Sequence, residues 1–251
     1  MLWSLSDLVK ATAGDLIGDW RNDGIAGVSI DSRSIKADEL FVAVKAKRDG
    51  HNFINDAIRL GAKGALVDHI PADISSNTPL LLVPSVQEAL ENLGKYRRER
   101  SQAKVVAITG SVGKTSSKNM LKTILELQGK THASPASFNN YLGVPLTLAN
   151  LPIDATYAVV EIGMNKPGEI EPLARMTSAD VVLITAIGKA HLEAFGDIAG
   201  IAHEKAQIVK GLKSGGIAVL NADTPGYEIL KKQTIKNGSQ FISFGGIDGN
   251  L

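Results

Sequence analysis

Short apolar runs alternate along this chain with stretches in which apolar residues recur every three or four positions. The apolar runs, rich in Val, Ile and Leu, predict β-strands at residues 25–30, 40–44, 64–68, 80–84, 104–109, 157–163, 180–188, 216–221 and 241–245. The periodic stretches predict helices at 52–61, 85–100, 115–128, 198–213 and 225–232. Nearly continuous apolar strands separated by helices are typical of a mainly parallel sheet covered by helices on both faces. The pattern predicts an α/β fold.

The polar segment KYRRERSQAK at residues 95–104 interrupts this alternation before a new apolar strand begins. We interpret its charges as a solvated helix face and a linker, with phosphate binding by Arg97 or Arg98 as the alternative. The interruption predicts two domains, at residues 1–102 and 103–251.

Charge and composition exclude several classes of protein. The 27 basic and 26 acidic side chains among 251 residues give a net charge of +1, which argues against general nucleic-acid binding. The absence of cysteine excludes disulfides and thiolate chemistry. The first residues lack the pattern of a signal peptide, and no apolar run approaches the length of about 18 residues typical of a membrane span. We therefore expect a cytoplasmic protein without a membrane span.

A glycine-rich loop follows the strand predicted at 104–109. Gly110, Gly113, Lys114 and Thr115 form G-x-x-G-K-T, which is shorter than the usual phosphate-binding loop G-x-x-x-x-G-K-[ST]. The alternative is a tight turn with a surface lysine. The apolar strand before the loop and the helical pattern after it favour a nucleotide site. That pattern consists of Met120, Leu121, Ile124 and Leu125, which predict a helix face packed on the sheet.

Each part of this loop suits one part of a nucleotide. Backbone N–H groups and the helix N-terminus favour phosphate oxygens, Lys114 can reach the terminal phosphates, and the Thr115 hydroxyl can ligate Mg²⁺. The predicted ATP-binding residues are Gly110, Ser111, Val112, Gly113, Lys114, Thr115 and Ser116.

Further polar residues follow other predicted strands, where ligands of open α/β sheets bind. Asn139 and Asn140 form a paired amide, Glu161 lies at the end of a buried strand, and His191 follows another strand. Lys205 lies on a predicted helix. The residues alone leave alternatives open: a salt-bridged Glu161, a loop histidine and a solvated lysine.

Several stretches together resemble the Mur ligase family, the ATP-dependent amide-forming enzymes of peptidoglycan assembly. These stretches are the short loop TGSVGKTS at 109–116, EIGMN at 161–165, SFNNYLGVPLTL at 137–148, AHLEAFG at 190–196 and residues 31–53. EIGMN is similar to the members that add D-alanyl-D-alanine, whereas relatives that form the tripeptide carry E-x-S-S-H at this place. The resemblance covers essentially the whole chain.

The resemblance implies a role for each domain. The small N-terminal α/β domain would bind the uridine diphosphate end of a sugar-peptide substrate, with contacts from Ser32 and Arg33. Arg33 suits a phosphate because a guanidinium binds phosphate oxygens in pairs, although an ion pair with Asp31 is the alternative. The second domain would be a P-loop ATPase-like domain with a parallel sheet, in which Asn139 and Asn140 line the cleft.

The same resemblance implies two Mg²⁺ ions. Thr115 and Glu161 match the ligands of the ion held with the ATP phosphates, and His191 matches a ligand of the second ion. Lys205 matches a lysine that CO₂ converts to an anionic carbamate in many members, which would allow it to lie near divalent cations. Lys114, His191 and Lys205 are therefore the expected catalytic residues.

The implied activity is ATP-dependent ligation of D-Ala-D-Ala to UDP-MurNAc-tripeptide through an acyl phosphate, by a monomer. Alternatives are a ligase of the family with another amine acceptor, a folylpolyglutamate-type synthase, or a non-catalytic nucleotide-binding module. Ser137 and Ala186 stand where members often have asparagine. Members continue well beyond Leu251, so we expect this chain to bind the UDP substrate weakly and not to ligate alone.

Overall fold

The computed structural model describes residues 1–21, 24–190 and 192–246. The chain divides into two compact units. The first contains Met1–Glu99 and Leu148–Asn150, and the second contains Arg100–Thr147 and Leu151–Leu251. That each unit has a separate binding role stays a prediction.

The first unit is built on a five-stranded sheet. The unit as a whole contains the strands β1 Trp3–Ser4, β2 Asp15–Ile17, β3 Gly24–Ile25, β4 Gly27–Ser29, β5 Glu39–Val42, β6 Gly64–Val67 and β7 Leu80–Leu82. Its helices are α1 Leu5–Thr12, α2 Ile54–Arg59 and α3 Val86–Arg100, with 3-10 turns at Ser32–Ser34 and Gly50–Phe53. The sheet order is β2-β7-β6-β5-β4, in which β2 runs antiparallel to β7 and the other pairs are parallel. Strands β1 and β3 form a separate antiparallel pair.

The second unit contains a six-stranded sheet flanked by helices. Its strands are β8 Lys104–Thr109, β9 Thr131–Ala133, β10 Tyr157–Glu161, β11 Ala179–Ile184, β12 Leu212–Asn221 and β13 Gln240–Phe244. Its helices are α4 Lys114–Glu126, α5 Gly143–Ala149, α6 Ile170–Thr177, α7 Leu192–Phe195, α8 Ile198–Ala206 and α9 Tyr227–Lys236, with a 3-10 turn at Gln207–Gly211. The order is β13-β12-β11-β8-β10-β9, and every pair is parallel. The predicted α/β fold is confirmed.

The order of these strands creates a crevice between β8 and β11. The chain leaves β8 through α4 toward β9 at one edge, and it leaves β11 through α7 and α8 toward β12 on the other side. Where neighbouring parallel strands send their connections in opposite directions, a crevice opens beyond their carboxyl ends. The glycine loop after β8 lies at this point.

Tertiary packing changed several expected elements. Helix α8 ends at Ala206 and β12 already begins at Leu212, so the helix predicted to reach residue 213 is shorter. Strands β10 and β11 end at Glu161 and Ile184, because the residues after them leave the sheet as loops. The short elements that the pattern did not predict are α1, α5, α6, α7, β1, β2 and β9.

Two expectations about burial were wrong. Arg97 and Arg98 are buried rather than solvated, and the Arg97 guanidinium donates to the Leu2 carbonyl oxygen at 3.0 Å. Met120 and Ile124 were expected to face the sheet, yet both are exposed, and Lys118 is the buried residue of α4. A long aliphatic stem allows lysine or arginine to take an inner position when its charged head finds a partner.

Gly110 packs against the loop that follows β11 more closely than any side chain would permit. Its φ angle is 155°, and a Cβ built there would lie 1.9 Å from Thr185 Oγ1. Thr185 Oγ1 also donates to the Val112 carbonyl oxygen at 2.6 Å, so it holds the loop from outside. The glycine is required by this approach as well as by its backbone angle.

Gly110→Ala should lower the free energy of unfolding of the second unit by more than the cost of roughly 1–2 kcal/mol for a left-handed residue alone. Gly168→Ala is the matched control, because Gly168 has a φ of 86° and no atom within 4 Å of a built Cβ. Urea unfolding followed by far-ultraviolet circular dichroism measures both. Adding Thr185→Ala to Gly110→Ala should recover part of the loss. Equal costs for the two glycines would contradict the close approach.

Candidate active site

The glycine loop is shaped by the loop that follows β11. Ser111 N–H donates to the Ala186 carbonyl oxygen at 2.7 Å. Its hydroxyl donates to the Gly188 carbonyl oxygen at 3.1 Å and accepts from Gly188 N–H at 2.9 Å. Gly113, with a φ of 84°, then begins α4. The short loop therefore has a fixed form in which the N-terminus of α4 faces the crevice, as phosphate binding requires.

Lys114 lies inside this loop. Its Nζ donates to the Gly110 carbonyl oxygen at 2.7 Å. Burial lowers the pKa of Lys114 below its ordinary value, while the negative charge of Glu161 opposes that shift. A lysine held in this way next to a helix N-terminus can bind the terminal phosphates of a nucleotide.

Glu161 is the centre of the cluster and is only 1% exposed. Its Oε2 accepts from the Thr115 hydroxyl at 2.9 Å, and its Oε1 accepts from Asn139 Nδ2 at 2.7 Å. Lys118 Nζ lies 3.9 Å from the same Oε2. The structure thus brings together three residues predicted from separate stretches of the sequence.

The donor set at Glu161 suits a magnesium ion. Mg²⁺ prefers hard oxygen ligands and is commonly bound by one or two carboxylates together with phosphate oxygens and water. Thr115 Oγ1 and Glu161 Oε2 provide such oxygens side by side at the start of α4. The residues present therefore fit this ion.

The two neighbouring asparagines have different roles in the fold. Asn139 holds Glu161, and its carbonyl oxygen accepts from Gly163 N–H at 2.7 Å. Asn140 Oδ1 accepts from Leu142 N–H and Gly143 N–H at 3.1 and 2.9 Å, so it caps the start of α5. Of the pair, only Asn139 connects to the carboxylate, while both line the cavity described next.

A cavity of about 150 Å³ opens beside the loop. It is lined by Gly110, Ser111, Lys114, Asn139, Asn140, Gly163, Met164, Asn165 and Lys205. Lys205 is 2% exposed, so the interpretation as a solvated helix charge is wrong. Burial lowers the pKa of Lys205 to about 7; the positive charge of Lys114 acts in the same direction and Glu204 opposes it.

Two charged residues that shape this site were not predicted from the sequence. Lys118 contacts Glu161 from α4, and its only signal was a position one turn after Lys114. Glu204 accepts from Gly168 N–H at 2.9 Å and from Ile170 N–H at 3.0 Å. Glu204 therefore fixes the loop that contains EIGMN to α8. In the sequence, the only signal for this role was a carboxylate next to Lys205.

The remaining predicted residues lie elsewhere. Ser32 and Arg33 belong to the first unit, in a 3-10 turn capped by Asp31. Arg33 NH2 lies 2.8 Å from Asp31 Oδ2, and the Arg33 side chain is 80% exposed. The ion pair considered as an alternative therefore forms. His191 lies outside the described residues.

The first unit also contains a histidine cluster. Potential metal-ligand atoms of Asp49, His51 and His69 lie within 4.8 Å of one another. His51 Nδ1 lies 2.6 Å from Asp49 Oδ1, and His51 Nε2 accepts from Asp68 N–H at 3.3 Å. Because hydrogen bonds within the fold occupy both ring nitrogens of His51, we interpret this cluster as structural.

Within the described ranges, no helix combines the length and apolar character that crossing a membrane requires.

Comparison with known proteins identifies close relatives. The family model "Mur ligase middle domain" matches residues 108–250, more than half of the chain, and "Mur ligase family, catalytic domain" matches residues 24–101. A UDP-N-acetylmuramoyl-tripeptide–D-alanyl-D-alanine ligase from Rickettsia prowazekii is 40% identical over 87% of this chain and 49% of its own length. The chain spans about half the length of the curated relatives it matches.

Solved structures agree with the sequence comparison. A crystal structure of MurF from Acinetobacter baumannii superposes with a TM-score of 0.86 at 34% identity, covering 99% of this chain and 54% of that one. MurF ligase from Thermotoga maritima in complex with ADP gives a TM-score of 0.74 at 30% identity, covering 89% of this chain and 51% of that one. The family models, the sequence relatives and the fold together show that this chain belongs to the Mur ligase family.

Proposed function

We propose that this chain provides the UDP-substrate-binding and ATP-binding parts of a ligase that joins D-Ala-D-Ala to UDP-MurNAc-tripeptide. The observation that carries the proposal is the Glu161 carboxylate, which Thr115 and Asn139 hold directly beside the glycine loop. The relatives at 34–40% identity that are named as this ligase support the choice of acceptor. The product is a precursor of peptidoglycan.

The proposed reaction has two steps. The terminal carboxylate of the tripeptide attacks the γ-phosphorus of ATP, so that a C–O–P bond forms and ADP leaves. The amine of D-Ala-D-Ala then attacks the acyl carbon, phosphate leaves and the amine loses a proton. The obstacle in the first step is the approach of a carboxylate to a polyanion. Lys114, which lines the cavity, and the N–H groups at the start of α4 would offset that repulsion.

Thr115 and Glu161 would hold Mg²⁺, since their oxygens fit its preference. When bound, the ion neutralises negative charge on the phosphates. His191 and a carbamylated Lys205 are the proposed ligands of a second ion. In the first unit, Ser32 and the exposed Arg33 would contact the diphosphate of the UDP substrate, with Asp31 holding the guanidinium for that contact.

Three observations support carbamylation of Lys205. The side chain is buried, it lines the cavity, and its pKa of about 7 makes the neutral amine available for attack on CO₂. The new N–C bond releases one proton and leaves a carbamate anion, which the neighbouring charge of Lys114 stabilises.

ATP should bind to this chain in the presence of Mg²⁺, and Lys114→Met should weaken that binding by roughly 100-fold, because a charge-assisted contact to the terminal phosphates is lost. Isothermal titration calorimetry measures the affinity. Lys122→Met is the matched control, because Lys122 lies on the same helix, 47% exposed, and pairs with Glu126. Equal ATP affinities for the two variants would contradict the assignment of the phosphate site.

UDP-MurNAc-tripeptide should bind to the chain at least about tenfold more tightly than UDP-MurNAc-dipeptide, a difference of roughly 1.4 kcal/mol. Preference for the dipeptide would indicate a ligase that acts one step earlier.

To test catalysis, this chain replaces the matching half of a curated relative, and phosphate release is measured with ATP, UDP-MurNAc-tripeptide and D-Ala-D-Ala. Release should require all three. A correctly folded chimera that binds ATP without releasing phosphate would favour the non-catalytic module.

Incubation of the protein in a buffer that contains ¹³C-bicarbonate should yield one carbamate signal in the ¹³C NMR spectrum. Lys205→Arg should remove this signal, because the guanidinium does not form a carbamate. Lys210→Arg serves as the control, since Lys210 Nζ already pairs with Glu171 at 2.6 Å. A carbamate signal that survives Lys205→Arg, or none in the unsubstituted chain, would argue against the modification.

A further inference from the structure

Lys118 has no role in the reaction proposed above, yet it occupies a central position. It lies one helical turn after Lys114 and is 2% exposed. Its Nζ donates a short hydrogen bond to the Ala136 carbonyl oxygen and lies 3.9 Å from Glu161 Oε2. Burying an ammonium group costs free energy unless polar partners compensate for the lost water. One of its partners, Glu161, is the central carboxylate of the candidate site.

The surroundings of Lys118 indicate that its burial is specific to this helix position. Met120 and Ile124 lie on the same helix and are exposed, although burying them would cost far less. Helix α4 therefore presents a cation to the interior where an apolar residue would ordinarily pack. The ammonium faces the same carboxylate oxygen that accepts the Thr115 hydroxyl and that fits a metal ion.

The charges around this oxygen disfavour a lone divalent cation. Lys114 and Lys118 both lie near one carboxylate, Glu161, and Lys205 adds a third positive charge close to Lys114. Glu204 directs its oxygens to the amides of the loop before α6. A free divalent cation at Oε2 would meet the ammonium of Lys118 at close range, in a site where water screens charge poorly. A cation that arrives with a nucleotide brings negative phosphate charge, and the same lysines then attract it.

We propose that Lys118 is a positioning residue that makes metal binding at Glu161 depend on nucleotide. It holds the carboxylate in place and cancels its charge, so that the site retains a divalent cation only together with ATP. This inference rests on the proposed ATP site.

The test measures Mn²⁺ binding, by electron paramagnetic resonance, to the 251-residue chain without nucleotide. Lys118→Met should bind Mn²⁺ at least about tenfold more tightly than the unsubstituted chain, because removing one unit charge beside the carboxylate lowers the repulsion. Lys118→Arg keeps the charge and should bind as weakly as the unsubstituted chain. Lys122→Met, one turn further along α4, should change nothing. A gain in affinity is not what general damage to the fold would produce.

Adding Glu161→Gln to Lys118→Met should abolish the gained binding, which locates it at the carboxylate. An unchanged Mn²⁺ affinity in Lys118→Met, with its circular dichroism spectrum preserved, overturns the proposal. If that variant does not fold, the unsubstituted chain is the test. Tight Mn²⁺ binding without nucleotide that Glu161→Gln removes also overturns the proposal. Weak Mn²⁺ binding that ATP strengthens supports the proposal. Failure of the unsubstituted chain to bind ATP with Mn²⁺ would instead reject the ATP site itself.

Discussion

The buried carboxylate of Glu161 is the constraint on which the candidate site depends. It lies at the end of β10, and two other segments direct polar groups to it: α4 through Thr115 and Lys118, and the loop before α5 through Asn139. A carboxylate with so little exposure is stable only when hydrogen bonds replace its water. Its partners are therefore fixed with it, and the glycine loop, the asparagine loop and the sheet edge form one connected structure.

The charges of the second unit explain which ligands suit it. Lys114 and Lys205 line a cavity beside the loop, and Lys118 Nζ lies 3.9 Å from the buried carboxylate of Glu161. A site with this surplus of positive charge favours a polyphosphate. Conversion of Lys205 to a carbamate would reverse one of these charges and make room for a second cation. Because the site is buried and its positive charges are poorly screened, a cation should enter only with negative charge, from a polyphosphate or from the carbamate.

The short glycine loop keeps its form through contacts with its neighbours rather than through its own length. Thr185 and the backbone at Ala186 and Gly188 hold Val112 and Ser111 from the adjacent strand end. These contacts exist because β11 lies next to β8, which is the point where the strand order reverses. A loop two residues shorter than the usual one can therefore present the N-terminus of α4 to the crevice.

The sequence by itself determined the elements and the local chemistry. Alternating apolar strands and periodic helices predicted the α/β fold, and a strand, a glycine turn and a helix predicted the phosphate loop, because these signals depend on neighbours in the chain. Only the tertiary structure decided which polar residues are buried. In the sequence, Arg97 was interpreted as a solvated charge, a solvated Lys205 was an open alternative, and no pattern singled out Lys118. Asn139 looked equivalent to Asn140. Burial depends on what packs against a residue from distant segments, and no local pattern records those partners.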